Sequence, residues 1–279
     1  MKKLHKMTTS KPILALMVKA AEKSARIIRD NFRRSRDYED KKSHIDIVTQ
    51  TDLESQKKIH EFLTLGMKDL GFNDAEIGFV EEESGNNKIK HHNFIVDPID
   101  GTTNFSSGIP FSCVSIGYAL GQKIKIGVVF EPFSETMYWG EINNGSFVRS
   151  HLLGERRLRL QIKPMKTWII GAHLNGLEVV NTQFAMYRKI YPHVRGLRNV
   201  GSLTLDLCFM ADNVIDVVFN MGCYFWDLAA ASVILNEAGG AIYDNQSQEL
   251  KFDWVNTKKK YHLMACHPQI KKEVLSLYI

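Results

Sequence analysis

Most of the chemistry this chain offers is concentrated in Asp97 to Phe105, which reads DPIDGTTNF and holds two carboxylates, a glycine and two threonine hydroxyls. The apolar, partly β-branched run Asn93 to Val96 before it predicts a short buried strand ending at Asp97. Pro98 donates no ladder hydrogen bond and Gly101 tolerates backbone angles other residues avoid, so a sharp turn is expected, with Asp97 and Asp100 held close together. Two crowded carboxylates repel unless one takes a proton or a cation sits between them. Mg²⁺ is suited to the second role, since it takes a few carboxylates and leaves room for waters and phosphate oxygens. Gly101, Thr102 and Thr103 are placed to open a helical turn whose free N–H groups face an anion. In isolation such a DxxD is more simply an Asp-rich turn with a helix cap. The chemical reading gains only if further carboxylates arrive from elsewhere.

They do arrive. Glu81, Glu82, Glu83 and Ser84 follow the apolar segment Ile77 to Val80, so a second strand is expected to end in acids. Far downstream, Trp226 and Asp227 precede an Ala-rich helical stretch, Leu228 to Ala238, closed by Gly239 and Gly240, with Asp227 at the cap or in the first turn. With these blocks in view the chain resembles the inositol monophosphatase family of Mg²⁺-dependent, Li⁺-sensitive phosphatases, which includes the bacterial SuhB-type proteins. The resemblance rests on DPIDGTTNF at 97 to 105, WDLAAASVILNEAGGAIYD at 226 to 244, EES at 82 to 84 and DIVTQTD at 46 to 52, and covers residues 12 to 275.

The resemblance implies a fold and a set of roles. The fold is α/β (α+β), a layered αβαβα sandwich of the inositol monophosphatase and fructose-1,6-bisphosphatase type. Glu82, Asp97 and the backbone carbonyl of Ile99 match ligands of one Mg²⁺; Asp97, Asp100 and Asp227 match ligands of a second, with Glu82 also near a third. Gly101 and Thr102 match phosphate-contacting amides, and Gly201, Ser202, Asn220 and Asp227 fall on the substrate side. Asp52 matches a residue that holds the hydroxyl of the Thr matching Thr102 and helps activate the attacking water, although Asp52 followed by Leu53, Glu54 and Ser55 also reads as a helix N-cap. Lys41 falls in a loop the family closes over the site, and on its own reads as a solvated lysine.

Two departures lie on the leaving-alcohol side. Asn220 stands seven residues before Asp227, where the inositol phosphatases usually have a Glu, and Leu203 stands where a small residue is usual. Asn still accepts a hydrogen bond, but the charge is gone. Glu81 and Glu83 flank the matched Glu82 with weaker claims. His44, His91, His92 and His173 belong to no matched block and are expected at the surface.

The chain has 279 residues, 44% hydrophobic and 24% charged, which is ordinary for a soluble protein with a sizeable core. No linker divides it, so one domain over 1–279 is expected, with two abutting halves near 1–150 and 151–279. Its net charge is +5, with basic residues gathered near the ends at Lys2, Lys3, Lys6, Lys11, Arg33, Arg34, Arg36 and Lys258 to Lys260. Such a periphery suits anionic substrates or weak nucleic-acid contacts without choosing between them. Cys113, Cys208, Cys223 and Cys266 are widely spaced and form no CxxC pair, so reduced core thiols are expected rather than disulfides or a zinc site. With neither a secretory leader nor a membrane-length apolar run, the expected location is the cytoplasm.

Apolar spacing predicts a helix over Pro12 to Phe32, a charged loop through Asp37 to Lys42, and a second helix beginning at Asp52. Strand patterns at Cys113 to Leu120, Ile124 to Phe130, Thr136 to Trp139 and from Phe147, with close turns at Gly121 and Asn143 to Gly145, predict an antiparallel sheet. A strand at 168–170, helices at 177–191 and 203–211, and a strand at 214–220 follow.

The function expected is a phosphomonoesterase acting on inositol monophosphate or a related polyol or sugar phosphate, and a homodimer is implied by the resemblance. Nucleotide 3′-phosphatase activity is disfavoured because Thr103 and Asn104 match the inositol-type motif, while fructose-1,6-bisphosphatase activity would use the same metal site. The alternative from another class is a SuhB-like role in contact with RNA or an RNA-bound assembly, although no dedicated nucleic-acid module is present.

Overall fold

A computed structural model describes residues 10–34, 38–43, 46–84, 87–174 and 176–277. In chain order the first half contains α1 (Ser10–Asn31), β1 (Tyr38–Ser43), β2 (Asp46–Thr49), α2 (Gln50–Asp69), β3 (Ile77–Glu81), β4 (His92–Asp100), α3 (Thr102–Ser107), β5 (Cys113–Leu120), β6 (Lys123–Glu131), β7 (Thr136–Glu141) and β8 (Gly145–Ser150). The second half contains β9 (Gly154–Arg157), β10 (Ile169–Ala172), α4 (Val180–Ile190), β11 (Gly196–Arg198), α5 (Leu203–Ala211), β12 (Val217–Cys223), α6 (Phe225–Ala238), β13 (Ala241–Tyr243), β14 (Tyr261–Cys266) and α7 (Lys271–Leu275).

Strands β3 to β9 form one seven-stranded sheet in sequence order, parallel only between β3 and β4 and antiparallel from β4 onward, as the short turns require. The second sheet has the order β11-β10-β12-β14-β13, with β10 parallel to both neighbours. On one face of the larger sheet, Ile13, Met17, Ala21, Ala25 and Ile28 of α1 pack with Ile59, Leu63 and Met67 of α2. Helices α5 and α6 fill the space between the two sheets, and α4 and α7 cover the far side of the smaller one, which completes the αβαβα order.

Helix α6 shows why this layering follows from the sequence. Eleven of its 14 residues are buried, so it is apolar all round, as a helix clasped between two sheets must be. Its alanines let the larger sheet come very close. A Cβ at Gly127 would stand 2.1 Å from the Ala230 carbonyl oxygen, and one at Gly117 3.0 Å from Ala229 Cβ.

The structure corrects several local expectations. The charged segment expected as a loop over 37–42 is largely strand β1, paired with β2; the side chain of Lys41 and all of His44 lie outside the described residues. Helix α2 starts earlier than Asp52: Thr49 is the N-cap and Asp52 the third helical residue of a capping box. Strand β4 does not stop at Asp97 but runs to Asp100 through an irregularity in register between those two residues. Pro98 breaks the ladder there without ending the strand. Helix α4 and strand β12 begin three residues later than the apolar patterns place them.

Candidate active site

The irregularity in β4 sets the geometry of the site. Asp97 pairs opposite Ser115 and Asp100 opposite Cys113, and the extra chain between them turns both carboxylates out of the regular pleat. Asp97 Oδ1 accepts from Ile99 N at 3.0 Å, which fixes the turn. Gly101 follows with φ 94°, a left-handed conformation that favours glycine, and caps α3. A Cβ there would lie 2.9 Å from the Phe111 carbonyl oxygen and 3.3 Å from that of Gly201. The same close approach brings the 200–203 segment against the motif. Asn104 Nδ2 locks it by donating to Phe111 O and Val200 O, both at 2.7 Å.

The other carboxylates arrive from remote elements. Glu82 follows β3, and its N–H donates to Val96 O at 3.2 Å, beside Asp97. Asp227 sits in the first turn of α6 and accepts from Tyr224 N at 2.8 Å. Glu82, Asp97, Asp100 and Asp227 line one cavity of about 230 Å³ together with Gly101 and Thr102. Burial pushes the Asp97 carboxyl well above the usual range, and Glu82, Asp100 and Asp227 push it further the same way. Asp100 is raised by burial too, against donation from Ser202 and Thr204.

Among the described residues no three His, Cys, Asp or Glu side chains stand close enough to enclose a metal ion as they lie. Asp97, Asp100 and Asp227 each turn an oxygen to a nearby protein donor instead. The donor chemistry still fits a hard divalent cation, because the lining holds four carboxylates and, among the described residues, no Lys or Arg.

Behind the cavity, Thr102 Oγ1 lies 3.2 Å from Asp52 Oδ1 and 3.0 Å from Ile99 O, two acceptors competing for a single hydroxyl proton. Asp52 is fully buried and held by the Thr49 N–H at 2.8 Å and the Thr49 hydroxyl. This fold and this convergence of acids accompany a family model: that of the inositol monophosphatase family matches residues 9–277. The chain belongs to the inositol monophosphatase family. It is 31% identical to Inositol monophosphatase 1 of Sus scrofa over 236 residues, 81% of each chain. It is 30% identical to the Nus factor SuhB of Haemophilus influenzae over 270 residues, 95% of each. The crystal structure of the extragenic suppressor protein SuhB from Bartonella henselae superposes with a TM-score of 0.82 at 29% identity, covering 95% of this chain and 98% of that one. Members of the inositol monophosphatase family are in general metal-dependent.

Some residues singled out in the sequence fall elsewhere than the cavity wall. Ser202 is buried outside the lining; its hydroxyl donates to Asp100 Oδ2 at 2.7 Å and accepts from Leu205 N at the start of α5. Glu81 is buried against His60, with Oε1 2.9 Å from Nδ1, and Glu83 is tied through its N–H to Gln56 Oε1 at 2.9 Å, so of the three acids only Glu82 lines the cavity. Gly201, Leu203 and Asn220 do line it. Two of the histidines expected at the surface are buried. His92 bonds Tyr118 Oη at 2.6 Å, and His173 lines the cavity with Nε2 2.7 Å from Asp206 Oδ2. No local motif marks His173; its place at the end of β10, beside β12, is a tertiary fact.

Proposed function

We propose that this chain is a Mg²⁺-dependent phosphomonoesterase that hydrolyses inositol monophosphate or a related polyol or sugar phosphate with water as nucleophile. The observation that carries the reading is the meeting of acids from β3, β4 and α6 with the 101–103 turn in one cavity. In this reading Glu82, Asp97, Asp100, Asp227 and the Ile99 carbonyl hold the cations. Bound there, Mg²⁺ lowers the pKa of water, neutralises charge on the phosphoryl oxygens and stabilises the departing alkoxide.

The remaining work falls to the chain itself. The N–H groups of Gly101 and Thr102 orient the phosphoryl group, aided by the left-handed turn at Gly101. Thr102 takes a proton from the attacking water as it passes its own to Asp52, whose position is fixed by the Thr49 capping box. Ser202 and Thr204 hold Asp100 in register through Oδ2. Leu203 and Asn220 face the leaving alcohol.

Li⁺ inhibition, a homodimer and a cytoplasmic location belong to the same proposal. The four cysteines are free and buried, which suits a reducing compartment, and no helix among the described residues is long and apolar enough to cross a membrane. The test is a panel of phosphate esters assayed with Mg²⁺ on the wild type and on Asp227→Asn. Turnover of a polyol phosphate that disappears in the variant supports the reading; no turnover of any ester by the wild type overturns it. Full activity in millimolar Li⁺, or a light-scattering mass of one chain, would remove those two parts alone.

A second reading, contact with RNA or an RNA-bound assembly, draws on the likeness to a chain named Nus factor SuhB. Salt-dependent RNA binding that survives Asp227→Asn is its expected signature.

A further inference from the structure

His173 is built into the cavity with more support than a chance surface residue receives. Its N–H donates to Phe219 O of β12 at 3.4 Å. Its carbonyl accepts from Gln183 Nε2 at 3.0 Å and from Tyr187 Oη at 2.9 Å, both on α4. The side chain meets Asp206, which is fully buried in the first turn of α5. Gly171, two residues upstream, makes room for that carboxylate, since a Cβ there would lie 2.8 Å from Asp206 Oδ2. Among the described residues neither Asp206 oxygen nor His173 Nε2 has another hydrogen-bond partner.

A buried His–Asp strut between β10 and α5 would be the plain account of this pair. It leaves two observations unexplained. His173 lines the same cavity as the four carboxylates, and Asn220, in that same lining, has its Oδ1 buried with no hydrogen-bond partner among the described residues. With Nε2 committed to Asp206, Nδ1 is the ring's remaining polar atom. A buried acceptor without a donor is costly to the free protein, and a ligand O–H is the group that relieves it.

We propose that His173, oriented by Asp206, is a specificity-determining residue that binds a hydroxyl of the leaving alcohol. This rests on the phosphatase reading above and adds a selector to it. Leu203 in the same lining offers an apolar wall against a ring or carbon chain.

The test compares two esters, inositol 1-phosphate and para-nitrophenyl phosphate, whose leaving group has no alcohol hydroxyl beyond the scissile oxygen. Replacing His173→Phe keeps bulk and removes hydrogen bonding, and the ratio of kcat/KM for the inositol ester to that for the aryl ester is expected to fall about 10- to 100-fold. His173→Gln, which can still donate to Asp206 and accept from a hydroxyl, should restore part of the ratio, and the change should lie mainly in KM. Asp206→Asn should lower the same ratio several-fold, and carries the comparison if His173→Phe does not fold. Calorimetric affinities for inositol 1-phosphate relative to inorganic phosphate should move with the ratio. A ratio unchanged in the folded variants, or both esters losing equally with unchanged relative affinities, makes the pair a strut and overturns the proposal. If the wild type hydrolyses neither ester, the phosphatase reading fails on its own, and the calorimetric ratio still decides whether His173 reads a hydroxyl.

Discussion

Asp97 carries opposing demands within one side chain. Burial and three neighbouring carboxylates raise its carboxyl well above the ordinary value near 3.8. A carboxyl raised on folding makes the folded state the better proton binder, so its contribution to stability declines as pH climbs from the unfolded value through the folded one. Asp97→Asn removes that penalty along with the charge. The metal-free variant is therefore expected to melt at or above the wild-type temperature at neutral pH while losing at least about 100-fold in turnover, because an amide is a poor ligand for a hard cation. Calorimetry in chelator and an Mg²⁺ assay check both halves, and comparable turnover in the variant would count against placing Asp97 at the reacting centre. His60 has the opposite sign. Glu81 raises its imidazole against the effect of partial burial, so its contribution is complete below about pH 6.5 and fades as pH rises through the folded value. The side chain is 45% exposed, and solvent screening keeps this small. His60→Gln should flatten the fall in melting temperature between about pH 6.5 and pH 8; parallel curves for the two proteins would refute the assignment. The acids of the cavity were legible in the sequence because they sit in compact motifs that need a cation or a proton to coexist. His173 was not, since only the pairing of β10 with β12 and the first turn of α5 give it a partner and a cavity.

At the level of elements, the long periodic helices and the antiparallel run β5 to β8 were readable because apolar spacing and turn residues agreed along the chain. Six strands escaped, among them the pair β1 and β2 in the charged stretch before α2. β9, β11 and β13 are 3 or 4 residues long, too short for a period to show. β14 lies inside its sheet between β12 and the edge strand β13, and its sequence YHLMAC mixes a histidine into an otherwise buried run. The capping box at Thr49 is a subtler case: the Asp that looked like the cap is the residue that answers it from one turn in, and this leaves its other oxygen for Thr102. Helix α6 ties packing to chemistry most directly, because Asp227 stands in its first turn while Ala229, Ala230 and Ile234 press on glycines of the larger sheet. Gly127→Ala puts a methyl on the Ala230 backbone, which no rotamer relieves. It is expected to destabilise the fold by about 2 to 4 kcal/mol and to lower activity well beyond the loss of folded protein as the start of α6 shifts. Urea unfolding and the specific activity of the folded fraction separate the two effects. Wild-type stability in the variant would mean that the sheet and helix have room to part.

For the molecule as a whole, the division near residue 150 falls inside a shared structure, since β9 from the second half closes the larger sheet and α5 and α6 pack on strands of the first half. We therefore propose one cooperative unit, with a single calorimetric transition. The cavity joins the halves as well, since Glu82, Asp97 and Asp100 come from one and Asp227 from the other. Cations held between these acids, as proposed above, would bind the folded chain and not the unfolded one, and each would stabilise the whole unit by mass action, about 2.7 kcal/mol at a free concentration one hundred times its Kd. For a chain of 279 residues that corresponds to a rise in melting temperature of roughly 5 °C. The ion must displace protons from Asp97 and Asp100, so the rise should be largest at neutral pH and shrink on acidification. Asp227→Asn should reduce it although that residue is far in sequence from the other three. Scanning calorimetry in Mg²⁺ and in chelator, at three pH values, measures all of this. A melting temperature indifferent to Mg²⁺ at every pH would mean that the acids share a cavity without sharing an ion, and the proposed hydrolysis would lose its electrophile.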